Sequence, residues 1–359
     1  MRYKFSDLYY DDTKNAKKLK SSEYKNIGKY IIVDQGKSLI AGYTDNEDGL
    51  YTDVPVIIFG DHTRNIKYIN SPFFLGADGT KVLKSSLKNV NYKYLYYLLK
   101  NANIPDTGYN RHYKWLKELM FKYHSQDQQN QIVTILDKLD LTISKYREEL
   151  LLLDELVKAR FVEMFGKYEA SVKLSRYIKE LRAGKSLAGK TKCKNKVLKT
   201  GAATFGFFDK EQYKYYPVEY VPNPLHKVED GDVIISRMNT PELVGSCSYV
   251  FEAPDDMYYP DRLWKTIITE DTNPIFLWQL MWQQDIRKQI KENSFGTSGT
   301  MNNISKVKLL NIKAIDVPLE LQNQFASFVQ EIDKSRSRIQ KSLEASQELF
   351  DSLMQEYFG

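Results

Sequence analysis

The sequence predicts a mixed α/β chain in which two globular modules of mixed sheet with helices are separated by a coiled coil of two long helices. Two observations carry that prediction. The stretch 129–166 returns without a gap as 322–359, and the apolar residues inside it step at a heptad period. Adding 193 to a position in the first copy lands on its counterpart. Gln129-Asn130-Gln131 becomes Gln322-Asn323-Gln324, Asp140 becomes Asp333, and Phe165-Gly166 becomes Phe358-Gly359. A repeat at this spacing is a duplicated domain, not a solenoid of short units. It implies a pseudo-twofold relation between the halves, although the residues preceding each copy are much less alike.

The repeat itself reads as helix. Its first copy places Ile132, Leu136, Leu139, Ile143, Tyr146, Leu150, Leu153 and Val157 at alternating steps of four and three. That is the seam of a coiled coil, whose residues face a partner helix. The second copy steps through Phe325, Val329, Ile332, Arg336, Ile339, Leu343, Ser346 and Phe350, so that Arg336 and Ser346 interrupt it. Polar seam positions fix register or partner at some cost in stability. Charges such as Lys145, Arg147, Glu148 and Glu149 solvate the opposite face. A helix of about 35 residues would span roughly 50 Å, and two such helices would make a strut between the modules.

The expected division is 1–124 for the first module, 125–166 for the first helix, 167–317 for the second module and 318–359 for the second helix. In the first module an apolar run, 54–60, enters a Gly-Asp turn, Gly76 and Gly79 punctuate short strands, and a helical stretch follows over 92–100. The second offers a comparable turn and strand over 228–237, an apolar helix over 275–283, and a polar loop over 296–303. Leu174, Tyr177, Ile178 and Leu181 are spaced for a further helix, with Gly184 placed to end it. Nothing at the given amino terminus resembles a signal peptide, and the apolar runs are too short to be expected to cross a bilayer. With only Cys193 and Cys247, neither a disulfide scaffold nor a cysteine zinc cluster is available. A reducing cytoplasm without membrane attachment is the expected setting.

The net charge of +6 is unevenly spread. Ten Lys or Arg residues and one acid, Glu180, fall between Ser171 and Thr200, leaving the rest of the chain slightly acidic. Such a cluster is the electrostatic footprint expected for nucleic acid. Inside it, residues 184–191 fit the pattern Gly, four residues, Gly-Lys-Thr. A true phosphate-binding loop follows a buried strand and opens a helix. Here the residues beyond it, 192–199, are too basic and too sparsely apolar for a packed helix. A flexible loop whose lysines touch DNA phosphates fits better than a nucleotide site.

Catalytic constellations are missing from the pattern. His62, His112, His124 and His226 have no HExxH or cysteine-paired spacing. Pro105-Asp106 and Pro260-Asp261 lack the acid-x-Lys a nuclease would need, and Asn223-Pro224-Leu225-His226 lacks the second proline and the aromatic of an amino-methyltransferase. The chain is expected to bind and not to catalyse.

With these features in view, the chain resembles the specificity subunits of type I restriction–modification systems. The resemblance rests on the helix ends 160–166 and 353–359, on Gly231-Asp232-Val233-Ile234-Ile235-Ser236-Arg237, on 298–305 and on Pro318-Leu319-Glu320-Leu321-Gln322. Residues 59–64 and 76–81 are similar to another frequent type of recognition domain in that family. Some members carry a helical segment before the first module; this chain starts directly in it and is expected to be complete. The resemblance implies two target recognition domains on double-stranded DNA, each reading half of a split sequence, with the helices as the ruler between them. It also implies docking of two methyltransferase subunits carrying S-adenosylmethionine, with restriction subunits supplying ATP- and magnesium-dependent chemistry, and no cofactor or metal on this chain.

Lys185, Lys190, Lys192, Lys194 and Lys196 are the expected phosphate partners, with Arg64, Lys67, Lys81 and Lys84 as the first module's analogues. Arg237, Asn239 and Asn302 suit base edges, since Arg matches guanine and Asn matches adenine in the major groove. Two other classes stay open: a P-loop nucleotide-binding regulator resting on the Gly184 loop, and a coiled-coil adaptor without DNA.

Overall fold

The computed structural model describes residues 2–76, 78–108, 110–296 and 301–359. Ala77 of the 76–81 motif, and 297–300 within the 296–303 loop and the 298–305 motif, lie outside the described residues. The chain forms two units, Met1–Glu149 with Ile339–Gly359, and Leu150–Arg338.

In the first unit the strands are β1 (Arg2–Lys4), β2 (Tyr9–Asp11), β3 (Tyr30–Val33), β4 (Gly42–Thr44), β5 (Val56–Gly60), β6 (Ile66–Ile69), β7 (Phe73–Leu75), β8 (Thr80–Ser85) and β9 (Met120–Lys122). Short helices α1 (Phe5–Leu8), α2 (Tyr92–Lys100) and α3 (Tyr113–Leu116) accompany them, and α4 (Gln126–Phe165) is the first long helix. The second unit holds β10 (Ala170–Lys173), β11 (Ile178–Ala183), β12 (Lys196–Leu198), β13 (Tyr213–Tyr215), β14 (Val233–Ser236), β15 (Met238–Asn239), β16 (Cys247–Tyr249), β17 (Met257–Tyr258), β18 (Leu263–Ile268), β19 (Asn302–Asn303) and β20 (Lys313–Ile315). Its helices are α5 (Pro274–Met281), α6 (Gln284–Asn293) and α7 (Lys306–Leu310), before the long α8 (Leu319–Phe358).

The two modules share one topology that their sequences conceal. The first contains an antiparallel sheet in the order β2-β8-β5-β6, a three-stranded sheet β4-β3-β7 and the pair β1-β9. The second contains β11-β18-β14-β16, β13-β12-β17 and β10-β20, and adds the ribbon β15-β19. Even the mixture of directions recurs, since β3 pairs parallel with β7 and β12 pairs parallel with β17. The central strands explain why apolar runs are continuous here. Side chains alternate across a strand: Ile57 and Phe59 of β5 join the core under α2, while Val56 and Ile58 join the core under the three-stranded sheet. In β14, Val233 and Ile235 face α5 and Ile234 faces away from it, into a separate core. With both faces covered, the run is apolar up to Ser236, whose buried hydroxyl donates to the Met238 carbonyl at 3.3 Å.

The repeated helices are fused into these cores. In the first unit Ile132, Leu136 and Ile143 of α4 pack in one cluster with Phe350 and Met354 of α8, together with Tyr94 and Tyr97 of α2. In the second unit Val157, Phe161 and Phe165 pack with Phe325, Ala326 and Val329, around Phe276 of α5. The beginning of one long helix thus meets the end of the other, an antiparallel pairing. Leu139, Leu150, Leu153, Ile332, Ile339 and Leu343 are half-buried along the seam. The interruption at Arg336 is answered across the pair by an ion pair to Asp154.

A polar clamp fixes each module to its long helix, and the repeat supplies half of it. Asn91 caps α2 by accepting from the Tyr94 N–H, and its Nδ2 donates to Asn130 at 3.1 Å. Asn273 caps α5 ahead of Pro274, a favoured arrangement at a helix start, and its Nδ2 donates to Asn323 at 2.8 Å. The buried Gln129 donates to the His124 carbonyl at 2.9 Å, and Gln322, at the repeat-equivalent position, donates to that of Val317 at 2.7 Å.

One expected helix is a strand. Leu174 lies in a 3₁₀ turn, and residues from Ile178 form β11 against β18. The ladder shifts between Ile178 and Glu180, so Lys179 is an extra residue. A bulge of this kind flips the alternation. It leaves Ile178 and Leu181 on one buried face three residues apart, which imitates a helical spacing.

The fusion of helix and module predicts where the chain is vulnerable. Phe165→Ala, at a 2% exposed site among four other rings, should cost about 3–5 kcal/mol in denaturant unfolding. Leu151→Ala, 66% exposed, should change stability by less than about 0.5 kcal/mol.

Candidate nucleic-acid interface

The basic loop of the second unit joins β11 to β12, and its backbone is tied down. The Gly184 N–H donates to the Pro260 carbonyl at 2.9 Å, and the Gly189 N–H to that of Tyr215 at 2.8 Å. A Cβ on Gly184 would lie 1.8 Å from the Tyr259 oxygen, and one on Gly189 2.5 Å from the Tyr216 oxygen. Ser186 hydrogen-bonds Asp261, and the Tyr216 hydroxyl donates to the Lys185 carbonyl at 2.9 Å. The glycines of the P-loop-like pattern therefore exist for close backbone approach to neighbouring carbonyls. No helix follows them; β12 does.

Anchoring the backbone leaves the lysines outside. Lys185, Lys190, Lys192 and Lys194 are exposed, and Lys196 is half-buried with its ammonium 4.7 Å from the centre of the Tyr213 ring. Lys194 approaches Asp256 at 3.6 Å, while Lys185, Lys190 and Lys192 make no ion pair among the described residues. The local potential registers on His226: burial, then the nearby Arg182 and Lys185, push its imidazole below the usual range.

The β15-β19 ribbon brings Asn302 opposite Asn239, with Arg237 immediately before the first of its strands. All three are half-buried. The Arg237 guanidinium lies 5.8 Å from the Trp264 ring centre and reaches Asn303 at 3.5 Å. Asn239 accepts from the Thr240 N–H at 2.9 Å, and Asn302 donates to Ser294 at 3.0 Å.

The first unit's four candidates sit differently. Lys67, 5% exposed, donates to the Asp34 carbonyl at 2.7 Å, and burial lowers its pKa despite the Asp34 carboxylate. Lys84, 8% exposed, is held by Asp53 at 2.8 Å. Both ammonium groups are engaged inside the module, a placement suited to structural ties and not to a phosphate. Lys81 pairs with Asp11 at 2.7 Å, and Arg64 pairs with Asp106 at 2.6 Å. Arg64 takes a φ of +60°, a turn conformation unusual for its type.

Sequence reasoning missed the first unit's true counterpart of the basic loop. By topology it is the connection from β2 to β3, residues 12–29, which carries Lys14, Lys17, Lys18, Lys20, Lys25 and Lys29. Four of these pair with Asp48, Asp78, Asp45 and Glu47, mostly at exposed sites. Exposed pairs contribute little and exchange readily. The signal was the lysine run itself, hidden because acids further along the first module offset its charge. Among the described residues no group of three or more His, Cys, Asp or Glu is placed to hold a metal ion.

The fold is shared with solved structures. The S subunit of the type I restriction–modification system from M. genitalium matches with a TM-score of 0.65 at 16% identity, covering 100% of this chain and 96% of that one. The chain has the fold of a type I S subunit. An HsdS subunit from Thermoanaerobacter tengcongensis matches at 13% identity over 99% of this chain and 96% of that one, with a TM-score of 0.38. A chain from a study of complex assembly and conformational transition in a type I system matches at 14% identity, over 99% and 97%, with a TM-score of 0.46. Of these three, the M. genitalium likeness is the one that bears on the fold. No protein-family profile and no curated protein sequence matches the chain.

Proposed function

We propose that this protein is the DNA-recognition subunit of a type I restriction–modification complex. The observation that carries the reading is the double construction. One topology is built twice on duplicated long helices, and each copy sends a lysine-rich loop from the same place in its fold. The S-subunit fold supports it. In this reading residues 1–124 and 167–317 are target recognition domains, and 125–166 with 318–359 are the helices that set the distance between half-sites.

The division of labour follows from the chemistry of each surface. Exposed ammonium groups on an anchored loop neutralise phosphates without reading sequence. Lys185, Lys190, Lys192 and Lys194, with Lys196 at the base, fill that role in the second domain. In the first, the 12–29 lysines fill it, with Arg64 and Lys81 beside them. Arg237, Asn239 and Asn302, on and beside the β15-β19 ribbon, are the residues we assign to base edges, Arg suiting guanine and Asn adenine. The chain chooses the address and performs no chemistry. Two methyltransferase subunits bring S-adenosylmethionine, and restriction subunits bring ATP- and magnesium-dependent cleavage. Among the described residues no helix is long and apolar enough to cross a membrane, and we place the complex in the cytoplasm with the DNA. A nucleotide-binding regulator is disfavoured because both glycines of the loop are occupied by backbone carbonyls.

Replacing Lys185, Lys190 and Lys192 together with Ala should weaken binding to every duplex sequence. The slope of log affinity against log salt should become shallower by about 0.9 for each phosphate no longer neutralised; an unchanged slope would remove these lysines from the interface. Co-expression with a methyltransferase subunit of its system, followed by sequencing of methylated adenines, tests the function. One bipartite motif with a fixed gap, absent when this chain is omitted, is the expected result. An active complex that methylates without a motif would favour an adaptor.

A further inference from the structure

The second unit contains a cavity of about 760 Å³ that the DNA-reading role does not use. Its walls are aromatic. Tyr249 and Trp278 are stacked with ring centres 6.0 Å apart, and Phe251 packs edge-on against both at 4.6 and 5.9 Å. Phe205 and Phe207 flank the opening, 70% and 59% exposed, on a turn held by the Trp278 indole N–H donating to the Gly206 carbonyl at 2.8 Å. Of the acids lining it, Asp154 and Glu252 are exposed and Asp333 of α8 is set into the wall. It is half-buried, burial raises its pKa while Arg336 opposes the shift, and it forms no ion pair among the described residues. Arg336 itself is committed to Asp154. Lys158, Lys210 and Glu252 also line the cavity, and neither lysine makes an ion pair among the described residues.

The first unit shows what such a wall holds when it is filled. The caps Asn91 and Asn273 make the same contact to repeat-equivalent asparagines, so α2 and α5 can be compared residue by residue. Lys93 of α2 sits 3.0 Å from Asp137, 4.9 Å from the Tyr68 ring centre and 5.9 Å from that of Tyr97. Lys100 lies 5.4 Å from the Tyr96 ring centre and 5.2 Å from that of Phe350. Counting from the caps, Lys93 corresponds to Ile275, Lys100 to Trp282 and Tyr96 to Trp278. The second module keeps an aromatic wall and has neither lysine on the module helix; Asp137 is replaced by Gln330 in the repeat, and the carboxylate facing the wall is Asp333, one turn further along α8.

We infer that this cavity is a binding site for an alkylammonium group supplied from outside the chain. Aromatic faces attract a cation through their quadrupole, most strongly when water is excluded, and Asp333 supplies the counter-charge. The ammonium would meet aromatic rings and a carboxylate of the long helix, as Lys93 does in the first unit. A small aliphatic amine and a lysine side chain of another protein present the same chemistry.

The test uses the full chain and the emission of its tryptophans. Titration with n-butylammonium chloride should give a saturable change with half-saturation on the order of 10 mM or tighter. Sodium chloride at matched ionic strength, and n-butanol, should give none. Asp333→Asn should weaken the response about tenfold, and Trp278→Phe should diminish its amplitude. A lysine-bearing peptide that binds at least tenfold more tightly than butylammonium would assign the source to a protein partner; equal affinities would assign it to a free amine. No saturable change, an equal response to butanol, or an undiminished affinity in a folded Asp333→Asn chain would each overturn the proposal. The butanol comparison is made on the unaltered protein, so the proposal stays falsifiable even if the substitution unfolds the chain.

Discussion

Everything in this fold depends on the burial of the paired long helices inside the modules they connect. A free coiled coil of this length would be a separate structural part. Here its seam residues are also core residues: Leu136 belongs to the same cluster as Tyr94 and Phe59, and Phe165 to the same cluster as Phe276 and Trp264. The Asn91–Asn130 and Asn273–Asn323 hydrogen bonds then set the orientation of each module on its helix. A polar contact at a rim restricts geometry more than it adds stability, because exchanged water hydrogen bonds offset most of its strength. Apolar burial supplies the energy, and the asparagines supply the angle.

That arrangement separates what must be constant from what can vary. The repeat stays alike where equivalent positions are buried, Ile132 and Leu136 in one core and Phe325 and Val329 in the other. The modules need only keep two buried central strands, a capped helix and one anchored loop. Their surfaces have diverged accordingly. The first balances its loop lysines with acids from 45–48, while in the second Lys185, Lys190 and Lys192 have no ion-pair partner among the described residues. The second also carries the β15-β19 ribbon. Divergence at these places is what two readers of different sequences would require.

Much of this was legible in the residues. Heptad spacing and the 193-residue repeat revealed both long helices because periodicity over several turns is a strong signal. The apolar helix at 275 and the Gly231-Asp232 turn were equally plain. The shared module topology was not, since the two modules pair their strands alike with little residue identity to show it. The β11 bulge turned a strand into an apparent helix, and burial of Lys67 and Lys84 depends on neighbours more than 30 residues away. Asp333 was visible only as one half of a repeat pair; its desolvation comes from a wall assembled by 205–208, 249–251 and α5. Such features depend on neighbours that no local window contains.

The central claim is that the helix pair determines the spacing between two DNA half-sites. One heptad inserted after Glu149 and another after Arg338 would lengthen both helices by about 10 Å while preserving the seam. That is close to three base pairs at about 3.4 Å each. Mapping the methylated motif of the lengthened chain should return the same two half-sites with a gap about three base pairs longer. An active complex with an unchanged gap, or with altered half-sites, would contradict the account.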